Sequence, residues 1–350
     1  MPFRTKQVAV ALSGGVDSAV AAARLVQAGW QVLGVHLLLS TAAPPGENLT
    51  ALGYFLGIPV RTVDMREEFQ LQVIDYFRRA YQAGTTPNPC VRCNEQIKFG
   101  RLLQLVQSWG YPFLATGHYA RIAPVDGRLA LWRGVDPGKE QSYFLHRLRP
   151  EALASILFPL GEWTKAQVRA QAEALGLLPY IQPRESQELC FIAGKYRDYV
   201  KSQAQGGGNR PGPIVDRTGK VLGTHRGLEY YTVGQRQGLG IAAPAPYYVL
   251  ELRPAANTLV VGAKADLLAD VVQVAAINWL APTPAEPWQA AVRLRYRHAG
   301  VGCRIDPGPD NTATVRLAQP QAAVTPGQAA VFYRGDEVLG GGWIVSGGKS

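Results

Sequence analysis

Residues 8–18 read VAVALSGGVDS, an apolar run that enters Ser13-Gly14-Gly15 and continues through Val16-Asp17-Ser18 into the alanine-rich run 19–28. A short apolar run closed by glycine predicts a buried strand. The alanine-rich stretch with Arg24, Leu25 and Val26 predicts a helix, which Gly29 ends. A glycine turn between strand and helix aims backbone N–H groups at one point, where the helix dipole also favours an anion. The chemistry is phosphate binding. A Walker A loop would carry a lysine within GxxxxGK[ST]; this loop has none, so that motif is excluded.

The second group with chemical capacity is sulfur. Cys90 and Cys93 form a CxxC within TPNPCVRCNEQIKF (86–99), which Pro87 and Pro89 make an expected loop. A CxxC serves as a redox pair, half of a zinc site or part of an iron–sulfur site. No second CxxC or histidine pair follows, which counts against structural zinc. Cys190 lies in SQELCFI (186–192), where an isolated cysteine before Phe-Ile reads on its own as a core thiol. Cys303 sits in an alternating strand pattern and also reads as core, while His36, His146, His225 and His298 carry no ligand spacing.

The elements that must position these residues follow from the chain as a whole. Its 350 residues suffice for two or three domains, and 47% hydrophobic with 18% charged residues is a globular composition. No apolar run approaches the roughly 20 residues of a membrane span. Arg4 and Lys6 precede an apolar run of only five residues, read as the first strand and not as a signal peptide, so a cytoplasmic location is expected. The net charge is +10 and the isoelectric point about 9.5. Residues 1–200 carry 21 basic and 16 acidic side chains and residues 201–350 carry 15 and 10, so a polyanion would meet several domains.

Strand and helix patterns alternate in the first part. Strands are expected at 31–38, 58–63 and 112–116, and helices at 51–56, 67–81 and 96–109, with loops at 40–50 and 83–94. Residues 150–178 read as helical, with Trp163-Thr164-Lys165 near a helix start. This alternation predicts an α/β fold with a doubly wound parallel sheet and ligands at the carboxyl ends of its strands. Near residue 205 the composition turns to Gly and Pro with short Val/Ile runs, and six short strands follow from Val271. The expected division is a nucleotide-binding domain at 1–203, a small β-rich domain at 204–270 and a C-terminal β-barrel at 271–350. In VRLRYRH, strand alternation would put Arg293, Arg295 and Arg297 on one face.

SGGVDS resembles the PP-loop of the ATP pyrophosphatases, which adenylate a substrate oxygen and release pyrophosphate. With TPNPCVRCN, KFG, ATGHYAR (115–121), KEQSYFL (139–145), SQELCFI, YTVGQRQGLG (231–240) and TPGQAAVFY (325–333) in this order, nearly the whole chain resembles the tRNA-specific 2-thiouridylases. Those enzymes replace the C2 oxygen of the wobble uridine by sulfur. The resemblance implies ATP, with Mg2+, at Ala11, Leu12, Ser13, Gly14, Gly15, Val16, Asp17, Ser18, Leu37 and Gly117. It implies the nucleophilic or resolving thiol at Cys93 and a persulfide at Cys190. It implies tRNA contacts at His118, Lys139, Glu140, Gln141, Arg295, Tyr296 and Gln328. The nearby cations Lys98 and Arg92 would favour the thiolate that thiol exchange needs. Expected partners are tRNAs with a wobble uridine (Glu, Gln and Lys acceptors) and a persulfide donor such as a cysteine desulfurase or relay protein, and no membrane.

The chain departs from the family at two places. Many relatives have Asp where Cys90 stands, so Cys90, Cys93 and Cys190 form an alternative ligand set for a [4Fe-4S] cluster. The loop at 40–50 is short and lacks the Trp and acidic residues usual there. An ammonia-using ligase would not need the cysteines or a basic β domain, and a non-catalytic RNA-binding protein would not need an intact SGGVDS.

Overall fold

The computed structural model describes residues 6–40, 47–181, 210–283 and 286–349. Chain contacts divide it into two units, one from Met1–Val73, Cys90–Phe191 and Gly335–Leu339, the other from Ile74–Pro89, Ile192–Arg334 and Gly340–Ser350.

The first unit opens with β1 (Gln7–Ala11), α1 (Val16–Gln27), β2 (Gln31–Leu38), α2 (Glu47–Leu56), β3 (Val60–Asp64) and α3 (Arg66–Phe69). A π turn, Gln70–Ile74, carries the helix on into α4 (Asp75–Gln82), which belongs to the second unit. Then come α5 (Pro89–Arg92), a π-helix (Cys93–Leu102), α6 (Leu103–Ser108), β4 (Phe113–Ala115), β5 (Ala120–Val125), β6 (Arg128–Arg133), β7 (Ile156–Leu157) and α7 (Lys165–Ala174). The sheet order is β3-β2-β1-β4-β7, with every neighbour parallel. Val8, Ala9 and Val10 of β1 are fully buried, because a parallel strand covered on both faces needs a continuous apolar run. The alanines of α1 let it pack closely on Val8 and Val10, with Leu52 of α2 and Val168 and Ala172 of α7 completing that core. Strand order reverses between β1 and β4, which places the ligand crevice at their carboxyl ends.

Four expectations change here. The stretch 40–50 is not wholly loop, since α2 starts at Glu47. The loop at 83–94 ends early: Pro89 opens a helix, so Cys90 and Cys93 are helical, as suits a proline whose missing N–H costs nothing in a first turn. Residues 150–178 are not one helical stretch; they hold a 3₁₀ turn (Pro150–Ser155), β7 and α7. At Gly161 a Cβ would lie 2.1 Å from the carbonyl oxygen of Ala120, so this break in the helix allows close passage along β5. The β5–β6 hairpin joins these as an element the strand pattern did not list, turning on Asp126 and Gly127, both at positive φ.

The second unit contains β8 (Gly212–Val215), β9 (Val221–His225), β10 (Tyr248–Arg253) and β11 (Thr258–Gly262), in the order β10-β11-β8-β9. Ile214, Tyr230, Tyr231, Val249, Leu259 and Val261 form its core. Among the described residues the six expected strands follow: β12 (Leu268–Trp279), β13 (Trp288–Arg293), β14 (Val301–Pro307), β15 (Ala313–Ala322), β16 (Ala329–Arg334) and β17 (Glu337–Gly348). They run β12-β15-β14-β13-β16-β17, and a β12–β17 pairing closes them into a barrel. Cys303 points into it, and burial pushes its thiol up to about 12, an inert core group. The fold is therefore the expected α/β parallel sheet followed by β domains. No described helix is long and apolar enough to cross a membrane.

The expected arginine face is corrected. β13 ends at Arg293, whose buried guanidinium donates to the carbonyl oxygens of His298 (2.8 Å) and Tyr296. Arg293 thus ties down the turn after the strand, and only Arg295 and Arg297 are exposed. Alternation fails once the chain leaves the ladder.

Candidate active site

The glycine loop joins β1 to α1 at the sheet's reversal point. Gly14 has φ +81°, and Gly15 is the N-cap of α1 with no side-chain cap on the first turn. Ser18, buried in that turn, donates to the Gly15 carbonyl oxygen at 3.0 Å and accepts from the Ser13 amide at 3.1 Å. A second brace is His36, whose Nδ1 bonds the Leu12 carbonyl oxygen at 3.0 Å. Gly117, just beyond β4, leaves no room for a side chain: a Cβ would lie 2.8 Å from the Asp17 carbonyl carbon and 2.9 Å from the Ser18 nitrogen. The loop is thus stiff, and its uncapped amides are suited to an anion. Ala11 ends β1, Leu12 is buried behind the loop, Ser13 is exposed, Val16 opens α1 and Leu37 lies half-buried in β2.

Two residues that the sequence left unassigned meet Asp17. Lys165 donates to both carboxylate oxygens, at 2.7 and 2.8 Å, and the Tyr119 hydroxyl donates to Oδ1 at 2.7 Å. Lys165 is only 8% exposed and is the first residue of α7. Thr164 and Gln167 cap that helix reciprocally, and the Lys165 amide donates to Asp136 at 2.8 Å. The expected helix start at 163–165 was the signal, though not for this role.

Cys90 is exposed and Cys93, three positions on in the continuous helix, is buried. Glu95 takes Arg92 and Arg147, each at 2.8 Å, while Lys98 donates to Asn94 at 3.0 Å. Phe99 and Phe158 each lie 5.9 Å from the His118 ring, whose Nδ1 is 2.7 Å from the Thr116 hydroxyl. Burial first, and the Lys98 charge second, hold His118 well below the ordinary histidine range, so it is neutral at pH 7. Cys190 lies outside the described residues. Among those residues no three His, Cys, Asp or Glu side chains are grouped to hold a metal ion.

The remaining site residues are scattered. Lys139 and Gln141 are half-buried, and Gln141 is paired with the Tyr119 backbone. Glu140 is 2% exposed, and its carboxylate accepts from the amide (3.1 Å) and hydroxyl (2.7 Å) of Ser142. In the second unit Arg295 is exposed, Tyr296 half-buried, and Gln328 donates to the Thr86 and Pro87 carbonyl oxygens.

Residues 6–194 match the family described as tRNA methyl transferase HUP domain. Residues 199–263 match the tRNA methyl transferase PRC-barrel domain, and 269–344 the aminomethyltransferase beta-barrel domain. The chain is 47% identical over 360 residues to a tRNA-specific 2-thiouridylase MnmA of Geotalea uraniireducens, covering 97% of this chain and 95% of that protein. It is 44% identical to one of Syntrophotalea carbinolica, covering 99% and 100%. A solved 4-thiouridine synthetase–RNA complex with bound ATP is 15% identical, with a TM-score of 0.35 over 57% of this chain and 50% of that one.

Proposed function

The chain belongs to the family of tRNA-specific 2-thiouridylases, which are sulfurtransferases, and from that premise we propose that it thiolates C2 of the wobble uridine of tRNA at the expense of ATP. The observation that carries the reading is the braced, uncapped first turn of α1 at the β1/β4 reversal, in the same unit as Cys93. The amides of Gly14 and Gly15 receive the phosphates of ATP, with Mg2+ as the companion ion, and steady charge as the C2 oxygen is adenylated. Gly117 lets its chain pass against the first turn of α1 and so holds that turn in place. The neutral His118, fixed between two rings, lines the space for a base turned out of the anticodon stack.

Sulfur then arrives as a persulfide on Cys190. Its terminal sulfur bonds to C2 as AMP leaves. The Cys93 thiolate attacks the Cys190 sulfur, the S–S bond breaks, and sulfur stays on the base. A Cys93–Cys190 disulfide remains, which an external thiol must reduce. The alternative [4Fe-4S] reading would use Cys90 with the same two residues. The basic barrel, with Arg295 and Tyr296, holds the tRNA, which a cysteine desulfurase or relay protein accompanies as sulfur donor; the Glu, Gln and Lys acceptors are the proposed substrates. We assign ATP chemistry to 1–203, a connecting role to 204–270 and tRNA binding to 271–350.

The test is incubation of the protein with ATP, unmodified tRNA and a persulfide donor. The expected products are 2-thiouridine at the wobble position by nucleoside mass spectrometry, with one AMP and one pyrophosphate per sulfur. Thiolation without ATP consumption would overturn the reading.

A further inference from the structure

We propose that Lys165 is the phosphate-binding cation that the glycine loop itself lacks, contacting the pyrophosphate portion of ATP at the first turn of α1. This rests on the ATP reading above. A loop that receives a triphosphate through amides alone gains from a nearby positive charge, and Asp17 in the same turn makes the need greater, because its carboxylate repels the incoming anion. Lys165 meets that need from 148 residues away, its Nζ within 2.8 Å of both Asp17 oxygens. It is not a wandering surface lysine. Its backbone is fixed by the capping box of α7 and by the bond to Asp136, and its side chain is nearly buried. The N-terminal turns of α1 and α7 meet through Asp17 and Lys165, and both helix dipoles add positive potential there.

In adenylation the uridine C2 oxygen bonds to the α-phosphorus while the bond from that phosphorus to the bridging oxygen breaks. The electron pair leaves with pyrophosphate, and the N3 proton of the base is released to water. Lys165 donates to the pyrophosphate oxygens on which that charge collects, giving up part of its hold on Asp17, which Tyr119 retains.

The competing account is that Lys165 only neutralises Asp17 and staples α7 to α1. Affinities for ATP and AMP, measured by calorimetry, separate the two. If Lys165 contacts pyrophosphate, Lys165→Met weakens ATP binding at least about tenfold and leaves AMP within about twofold, and Lys165→Arg keeps most of the ATP preference. If it only balances Asp17, the defect belongs to the unpaired carboxylate, so Asp17→Asn in the Lys165→Met background restores the ATP preference, and that result overturns the proposal. Should Lys165→Met fold poorly, Lys165→Gln still donates to Asp17. Pyrophosphate alone should then raise the melting temperature of the wild type and not of this variant; equal stabilisation of both overturns the proposal. A wild-type protein that binds no ATP removes both readings, whereas wild-type binding with an unchanged ATP-to-AMP ratio in Lys165→Met removes only the lysine.

Discussion

Gln328 donates its side-chain amide to the carbonyl oxygens of Thr86 and Pro87, at 3.1 and 3.3 Å. Beside it, the Thr86 amide donates to the Pro326 carbonyl oxygen at 2.8 Å, and a Cβ on Gly327 would lie 2.9 Å from the Thr86 oxygen. A residue that the family resemblance sets near RNA therefore holds the chain three residues before Cys90. Gln328→Ala should slow single-turnover thiolation at least about tenfold at saturating tRNA, about 1.4 kcal/mol, while tRNA affinity stays within about threefold. Filter binding and rapid quench read the two quantities separately; loss of affinity with an unchanged rate would make Gln328 an RNA contact and no more.

The three cysteines separate the two sulfur mechanisms. In the persulfide relay Cys93→Ser and Cys190→Ser lose all thiolation and Cys90→Ser only part, because Cys90 handles no sulfur. In a cluster mechanism all three are iron ligands, and each loss is equally severe. Single-turnover thiolation of each variant, in air and without oxygen, decides it. We expect the graded pattern, with little oxygen sensitivity.

Arg295 is exposed and its guanidinium reaches the Ala322 carbonyl oxygen at a long 3.4 Å, so removing it should leave the barrel folded. Arg295→Ala should weaken tRNA binding and reduce the slope of log affinity against log salt by roughly 1, the release of one counterion. An unchanged slope would mean that this guanidinium serves only to solvate the turn.

Acid should destabilise the first unit. Burial pushes His146 down to about 4, and it pushes His118 well below its ordinary range. The unfolded chain takes up protons near pH 6.5 while the folded chain refuses them. Stability is thus complete above about 6.5 and falls as pH drops toward 4, by up to about 1.4 kcal/mol per pH unit for each histidine. For His146 alone the loss sums to about 3 kcal/mol. Urea unfolding between pH 4.5 and 7 should show a shallower fall in His146→Gln, by about one proton; an unchanged slope refutes this assignment.

Much of the fold was legible where local signals agree with tertiary demands. The β1–loop–α1 unit reads directly because a doubly buried strand must be apolar and its turn must be glycine. The six barrel strands read from their spacing. Pro87-Asn88-Pro89 misled because two prolines signal a loop and equally a helix start, and only packing chose the second. Asp126-Gly127 is a readable hairpin turn, since both residues take positive φ between two short strands. The pairing of Asp17 with Lys165 had no local signal, since nothing in the spacing joins residues 148 apart. Arg293 shows the opposite limit: a charge that strand alternation sets on one face with Arg295 and Arg297 is turned inward to hold its own backbone.

The π-helix from Cys93 to Leu102 sets an angular phase. In ordinary α-helical winding five residues advance 500°, so Cys93 and Lys98 would project about 140° apart around the axis. Hydrogen bonding to the fifth residue widens each turn and brings Lys98 round toward the side on which Cys93 stands. Gly100 suits this winding, for a Cβ there would lie 2.7 Å from the carbonyl oxygen of Glu95, five residues back. The direction in which the Lys98 ammonium is presented, bonded to Asn94, is thus set by the pitch of one helix, and rewinding it would redirect that charge with no residue changed.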